Sequence, residues 1–127
     1  MGVALMRERL QKPVLIISGL FFVAGTIPLV MFFAREPGVA MIMSIYVTLG
    51  IFLLLAASDP VAHRSLIFFA GWANIAHASV MSVQAYLHVI QSRELLGVAV
   101  FAVVGVALIA ITPPKAAAAH ISAAKAA

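Results

Sequence analysis

The sequence contains no cysteine, a single tryptophan and four acidic residues, and charged side chains make up only 9% of it. Without cysteine there is no disulfide, no thiolate metal site and no cysteine nucleophile, and the redox compartment leaves no mark. The acids Glu8, Glu36, Asp59 and Glu94 all lie at the ends of apolar runs, so no carboxylate sits inside one to serve a proton relay or a cation path. The eight Lys/Arg give a net charge of +4 but are scattered. That excludes a continuous basic patch for nucleic acid and suits lipid headgroups.

What is present is apolar side chain, 65% of 127 residues, where a soluble domain has about half. A soluble chain this short leaves too much surface in water to hide so much of it. The composition predicts an all-α integral membrane protein, a four-helix bundle with spans at residues 13–34, 39–57, 60–91 and 95–111. Residues 1–12 carry their charges after a short apolar run, unlike a secretory signal, and predict an amphipathic interfacial turn with Val3, Leu5, Met6 and Leu10 towards lipid. The transmembrane domain then covers residues 13–112, and an alanine-rich tail, a frayed surface helix or disordered chain, covers 113–127.

Each run carries its own punctuation. Pro13 to Ala34, about 22 residues, is long enough for a hydrocarbon core of about 30 Å, with Pro28 bending it and Gly19, Gly25 and Thr26 offering a narrow face. Arg35-Glu36-Pro37-Gly38 predicts a turn. In the second span Ser44, Tyr46 and Thr48 are the only polar side chains, read as packing residues. Ser58-Asp59-Pro60 reads as an N-cap followed by proline at the first helical position. No strong breaker follows until Ser92, which predicts a third helix of about 31 residues, roughly 45 Å, that must tilt or project. The fourth span is rich in small residues, Gly97, Ala99, Ala102, Gly105 and Ala107, and ends at Thr112-Pro113-Pro114. Arg7, Arg9, Lys12, Arg64, Lys115 and Lys125 fall on one side of this layout and only Arg35 and Arg93 on the other. The positive-inside rule then puts both termini in the cytoplasm.

The third span alone places polar and titratable side chains within a long apolar helix. His63, His77 and His88 fall within about 40° of one another on a helical projection, but about 21 Å and 16 Å apart in height, so no two can share a metal ion. His77 lies nearest the middle. Asn74, one turn before it, is placed to bond its imidazole and fix the tautomer. The plain reading of Asn74, His77, Ser79 and Ser82 is interhelical hydrogen-bonding glue. A sharper one makes His77 the axial ligand of a haem iron or of a chlorophyll-type magnesium, with Ala73 leaving room for the macrocycle. A third makes His77, with Asn74 and Tyr46, part of a transport or proton path. Asp59, His63 and Ser65 lie within two turns of one helix and cannot converge as a hydrolase triad. Asp59, His63 and Arg64 instead read as a cap and headgroup anchor.

The segment DPVAHRSLIFFAGWANIAHASVMSVQA resembles a family of small bacterial four-helix membrane proteins that share an Asp/Asn-Pro-x-x-His-Arg-Ser-Leu-Ile turn, then Trp, then Ala-His-x-x-Val-Met. The resemblance implies the fold and His63, Arg64, Trp72 and His77 as the positions to test; it implies no activity, and the expected location is a bacterial inner membrane. Taken together, the sequence points to an accessory or assembly subunit of a larger membrane complex, or to a homo-oligomer, with the bilayer and other membrane subunits or itself as partners. No enzyme activity is expected, and no cofactor, with haem or a pigment at His77 as the alternative.

Overall fold

The computed structural model describes all of residues 1–127 and is entirely helical. Its elements are α1 (Gly2–Val23), α2 (Thr26–Phe32), α3 (Pro37–Ala56), α4 (Arg64–Tyr86), a single 3-10 turn at Ser92–Glu94, α5 (Leu95–Ile111) and α6 (Lys115–Ala126). Four units are long and apolar enough to cross a bilayer: α1 with α2, α3, α4, and α5 with its preceding turn. They alternate in direction, so both chain termini lie at one end of the bundle, here called the terminal end.

The helix ends differ from the sequence reading in instructive ways. The turn expected before Pro13 is helical: α1 begins at Gly2 and runs through Pro13. Gln11, buried, fixes this extension by donating from Nε2 to the Ile111 carbonyl at 3.1 Å. The bend falls instead at Ala24–Gly25, ahead of Pro28. Proline cannot donate to the Ala24 carbonyl, and the Ile27 amide takes it at 3.1 Å, while the Thr26 hydroxyl closes on the Val23 carbonyl at 2.8 Å. Pro37 opens α3 at its first turn rather than belonging to the preceding loop.

The third span is shorter than expected. Residues 60–63 form a separate turn, in which Asp59 Oδ1 accepts from the Ala62 amide at 3.1 Å, and α4 starts only at Arg64. At the other end α4 stops at Tyr86. The His88 amide bonds the Ala85 carbonyl at 3.1 Å and the Val89 amide the Gln84 carbonyl at 2.8 Å, a Schellman ending with His88 in the left-handed position, φ 56°. At 23 residues α4 is about 35 Å long, close to the hydrocarbon thickness, and has no need to project.

The four spans are organised as two hairpins. In α1–α3 a methyl added at Gly19 would lie 2.9 Å from the Gly50 carbonyl oxygen, and one added at Gly50 would lie 2.7 Å from the Gly19 oxygen. In α4–α5, Gly71 and Gly105 repeat the arrangement. Only glycine allows two backbones to cross this closely. Packing is most extensive within the hairpins and narrower where α1 meets α5 and α3 meets α4. The buried core, including Leu15, Leu53, Ile67 and Leu108, draws on all four spans; most of the remaining apolar surface faces outwards, as a lipid solvent requires.

Candidate functional site

Midway along the bundle all four spans contribute rings: Phe22, with Phe21 beside it, from α1, Tyr46 from α3, His77 from α4 and Phe101 from α5. Within the first hairpin Phe22 stacks on Tyr46, centroids 5.2 Å apart. Within the second, His77 lies 4.5 Å from Phe101. Across the seam Phe22 and Tyr46 reach Phe101 at 6.3 and 5.2 Å, and Tyr46 meets His77 edge-on at 5.4 Å. Glycines thus close each hairpin, and rings join the two. Each aromatic pair is worth about 0.5–1.5 kcal/mol beyond its buried area.

Towards the non-terminal end Phe22, Tyr46 and Phe101, but not His77, floor an apolar cavity of about 330 Å³, walled by Gly25 and Pro28 at the bend of the first span and by Met43 of α3. This is near the lower limit for a small-molecule pocket, and its lining offers little polar chemistry besides the Tyr46 hydroxyl. Sequence reasoning placed Tyr46 among packing residues. Its mid-span position was the available signal, but its partners lie on three other helices.

The polar residues of α4 do not bond as expected. Asn74, fully buried, lies at the centre of the inward face with Ile67, Ala70 and Ala78. Its Nδ2 donates to the Ala70 carbonyl at 2.8 Å, and its Oδ1 is buried without a partner. It therefore does not hold the His77 imidazole. Ser79 and Ser82 donate to the Ile75 and Ala78 carbonyls of their own helix at 2.8 and 2.7 Å. Asn74, Ser79 and Ser82 form none of the interhelical bonds expected of this face, because each donates to a carbonyl one turn back on its own helix.

Polar ties between elements occur at the terminal end instead. Besides the Gln11 bond, Arg64 Nε donates to the Pro113 carbonyl at 2.7 Å and its guanidinium lies over the Phe68 ring at 5.7 Å. His63 Nδ1 is 2.9 Å from the Asp59 carbonyl oxygen. Asp59 and His63 thus close the turn before α4 on itself, while Arg64, the first residue of α4, ties that helix to the Pro113 carbonyl. His63 sits in that turn, His77 at mid-span and His88 beyond the helix end, so the three histidines do not form one face, and no three potential metal-ligating residues converge anywhere.

The sequence profile of a family of unknown function, DUF6632, matches residues 31–125, from the end of α2 into α6. The chain belongs to that family. The matched DUF6632 region takes in the rings of Tyr46, His77 and Phe101 and leaves out all of α1, including Phe22, and most of α2. No curated protein and no solved structure matches the chain.

Proposed function

We propose that the protein acts by assembly, as a membrane subunit that pairs with a second copy of itself along the outward face of α4. The observation that carries this is a seam of seven exposed residues spaced alternately four and three apart: Ser65, Phe69, Trp72, Ala76, Ser79, Val83 and Tyr86. That spacing is the knobs-into-holes repeat of paired helices. It lies directly opposite the buried stripe of α4, so the bundle itself makes no use of it.

The chemistry of the seam suits protein better than lipid. Trp72 is 52% exposed and about 12 Å along α4 from Arg64, well inside the interfacial belt where tryptophan normally rests. Its ring neighbour is Phe68, and no group within the chain accepts its indole N–H. Ala76 and Ser79, small and near mid-span, let two copies approach at the same depth, as a two-fold axis along the membrane normal requires. The Lys/Arg count favours an orientation with both termini and the Asp59 turn in the cytoplasm.

The test uses the absence of native cysteine. Single cysteines at Ala76 and Ser79 should form disulfide-linked dimers in membranes, whereas one at Val103, equally lipid-facing on α5, should not. A monomeric mass after mild extraction, with no crosslinks at either position, removes the proposal. Heterologous crosslinks at the same two positions would replace the second copy with another subunit. A haem or pigment at His77 has less support, because Phe101 and Tyr46 already pack against the ring. An ion path has less as well, because the adjoining cavity is walled by apolar side chains.

A further inference from the structure

At the terminal end, a cleft of about 300 Å³ opens between the first turns of α1, Val61 of the Asp59 turn, the Pro113–Pro114 link and the start of α6. Arg7 and Glu8 both line it. Arg7 Nε is shielded from solvent and has no hydrogen-bond partner. An unpaired donor on a permanently charged group is costly, so the cleft is incomplete without an acceptor. The neighbouring polar groups do not supply one in this structure: Gln11 turns its Nε2 to the Ile111 carbonyl, the Pro113 carbonyl accepts from Arg64 Nε, and neither residue reaches Arg7 Nε. Glu8 does not supply one either. Adjacent residues on a helix point about 100° apart, and the only ion pair of the chain is Arg93–Glu94.

One cavity therefore presents two opposite charges that do not neutralise each other. A purely anionic ligand would meet Arg7 but be repelled by Glu8. A ligand with separated opposite charges uses both. The cleft lies just past the apolar part of the spans, at the level of the headgroups.

We propose that this cleft binds the headgroup of a phosphatidylethanolamine-type lipid, with the phosphate on the Arg7 guanidinium and the primary ammonium on the Glu8 carboxylate. The guanidinium matches phosphate geometry, and a primary ammonium donates the hydrogen bonds that a choline headgroup lacks.

The experiment titrates the full chain in detergent micelles with phosphatidylethanolamine, phosphatidylcholine or phosphatidylglycerol and counts retained lipid by native mass spectrometry. Soluble phosphoethanolamine and inorganic phosphate serve as competitors. Phosphatidylethanolamine should be retained about tenfold better than the other two, which corresponds to one charge-assisted hydrogen bond. Glu8→Gln should abolish the preference, and Arg7→Gln should lower the retention of all three lipids, neither with any loss of lipid-free thermal stability. Phosphoethanolamine should compete, and inorganic phosphate should not. Equal retention of all three lipids overturns the proposal. So does stronger retention of phosphatidylglycerol that Glu8→Gln enhances, which would mark a general anionic-lipid surface, or equal competition by inorganic phosphate, which would mark a plain phosphate site.

Discussion

Gly71 and Gly105 oppose each other so closely that a methyl on either would lie within 3.1 Å and 2.9 Å, respectively, of the other's carbonyl oxygen. The second hairpin is set by that contact, since backbone on backbone leaves nothing flexible to move aside.

Gly71→Ala and Gly105→Ala are each expected to destabilise the bundle by about 1–3 kcal/mol through overpacking. Each methyl would also meet an isoleucine side chain, Ile109 Cγ1 at 2.6 Å from the one on Gly71 and Ile75 at 2.9 Å from the one on Gly105. Gly38→Ala, where nothing lies within 4 Å, should be neutral or stabilising by up to about 1 kcal/mol through helix propensity. Unfolding in mixed micelles measures all three.

Asn74 is expected to respond to substitution in two directions. Its Oδ1 is a buried acceptor without a donor, and reversing the amide would set that oxygen against the Ala70 carbonyl. Asn74→Leu, of similar volume, removes the unsatisfied group and should be neutral or stabilising by about 1 kcal/mol. Asn74→Asp places an unpaired charge at the same buried point and should prevent stable folding. If the leucine variant loses more than about 2 kcal/mol, Asn74 is paired in a way these contacts do not reveal.

His88 pays for its left-handed backbone. His88→Gly should keep the Schellman hydrogen bonds and raise stability by about 0.5–1 kcal/mol, and His88→Val should lower it by about as much or more. Equal stability of both variants would show that the α4 ending is not held in that geometry.

Because both termini share one end of the bundle, orientation can be read by labelling. Single cysteines at Ser122 and at Glu36 should respond oppositely to a membrane-impermeant maleimide on intact cells. The Lys/Arg asymmetry expects Glu36 to label and Ser122 to stay protected until the membrane is opened. The reverse pattern would invert the topology.

The number, order and approximate extent of the spans could be read from the sequence, because hydrocarbon thickness imposes a length on every apolar run. Their ends could not. Pro13 and Pro60 each suggest a helix start, yet Pro13 lies inside α1 and Pro60 in a turn, since proline fits a first turn, a tethered interior or a loop equally well. The ending at Tyr86 was hidden because histidine occupies a place usually marked by glycine. His77 was located at mid-span, but its setting is two rings from two other helices, Tyr46 of α3 and Phe101 of α5, a relationship that no local spacing encodes. Gly19 and Gly105 were visible as small residues, while their pairing with Gly50 and Gly71 required the fold.

The division into two glycine-locked hairpins bears on biogenesis. Each hairpin closes on contacts made within its own half of the chain, so the first can be complete in the bilayer before the second leaves the ribosome. The ring cluster of Phe22, Tyr46, His77 and Phe101 then acts as a late docking step between finished parts. A chain cut within residues 57–63 and expressed as two pieces should accordingly reassemble and co-purify, and Phe101→Ala should separate the pieces while leaving each hairpin intact.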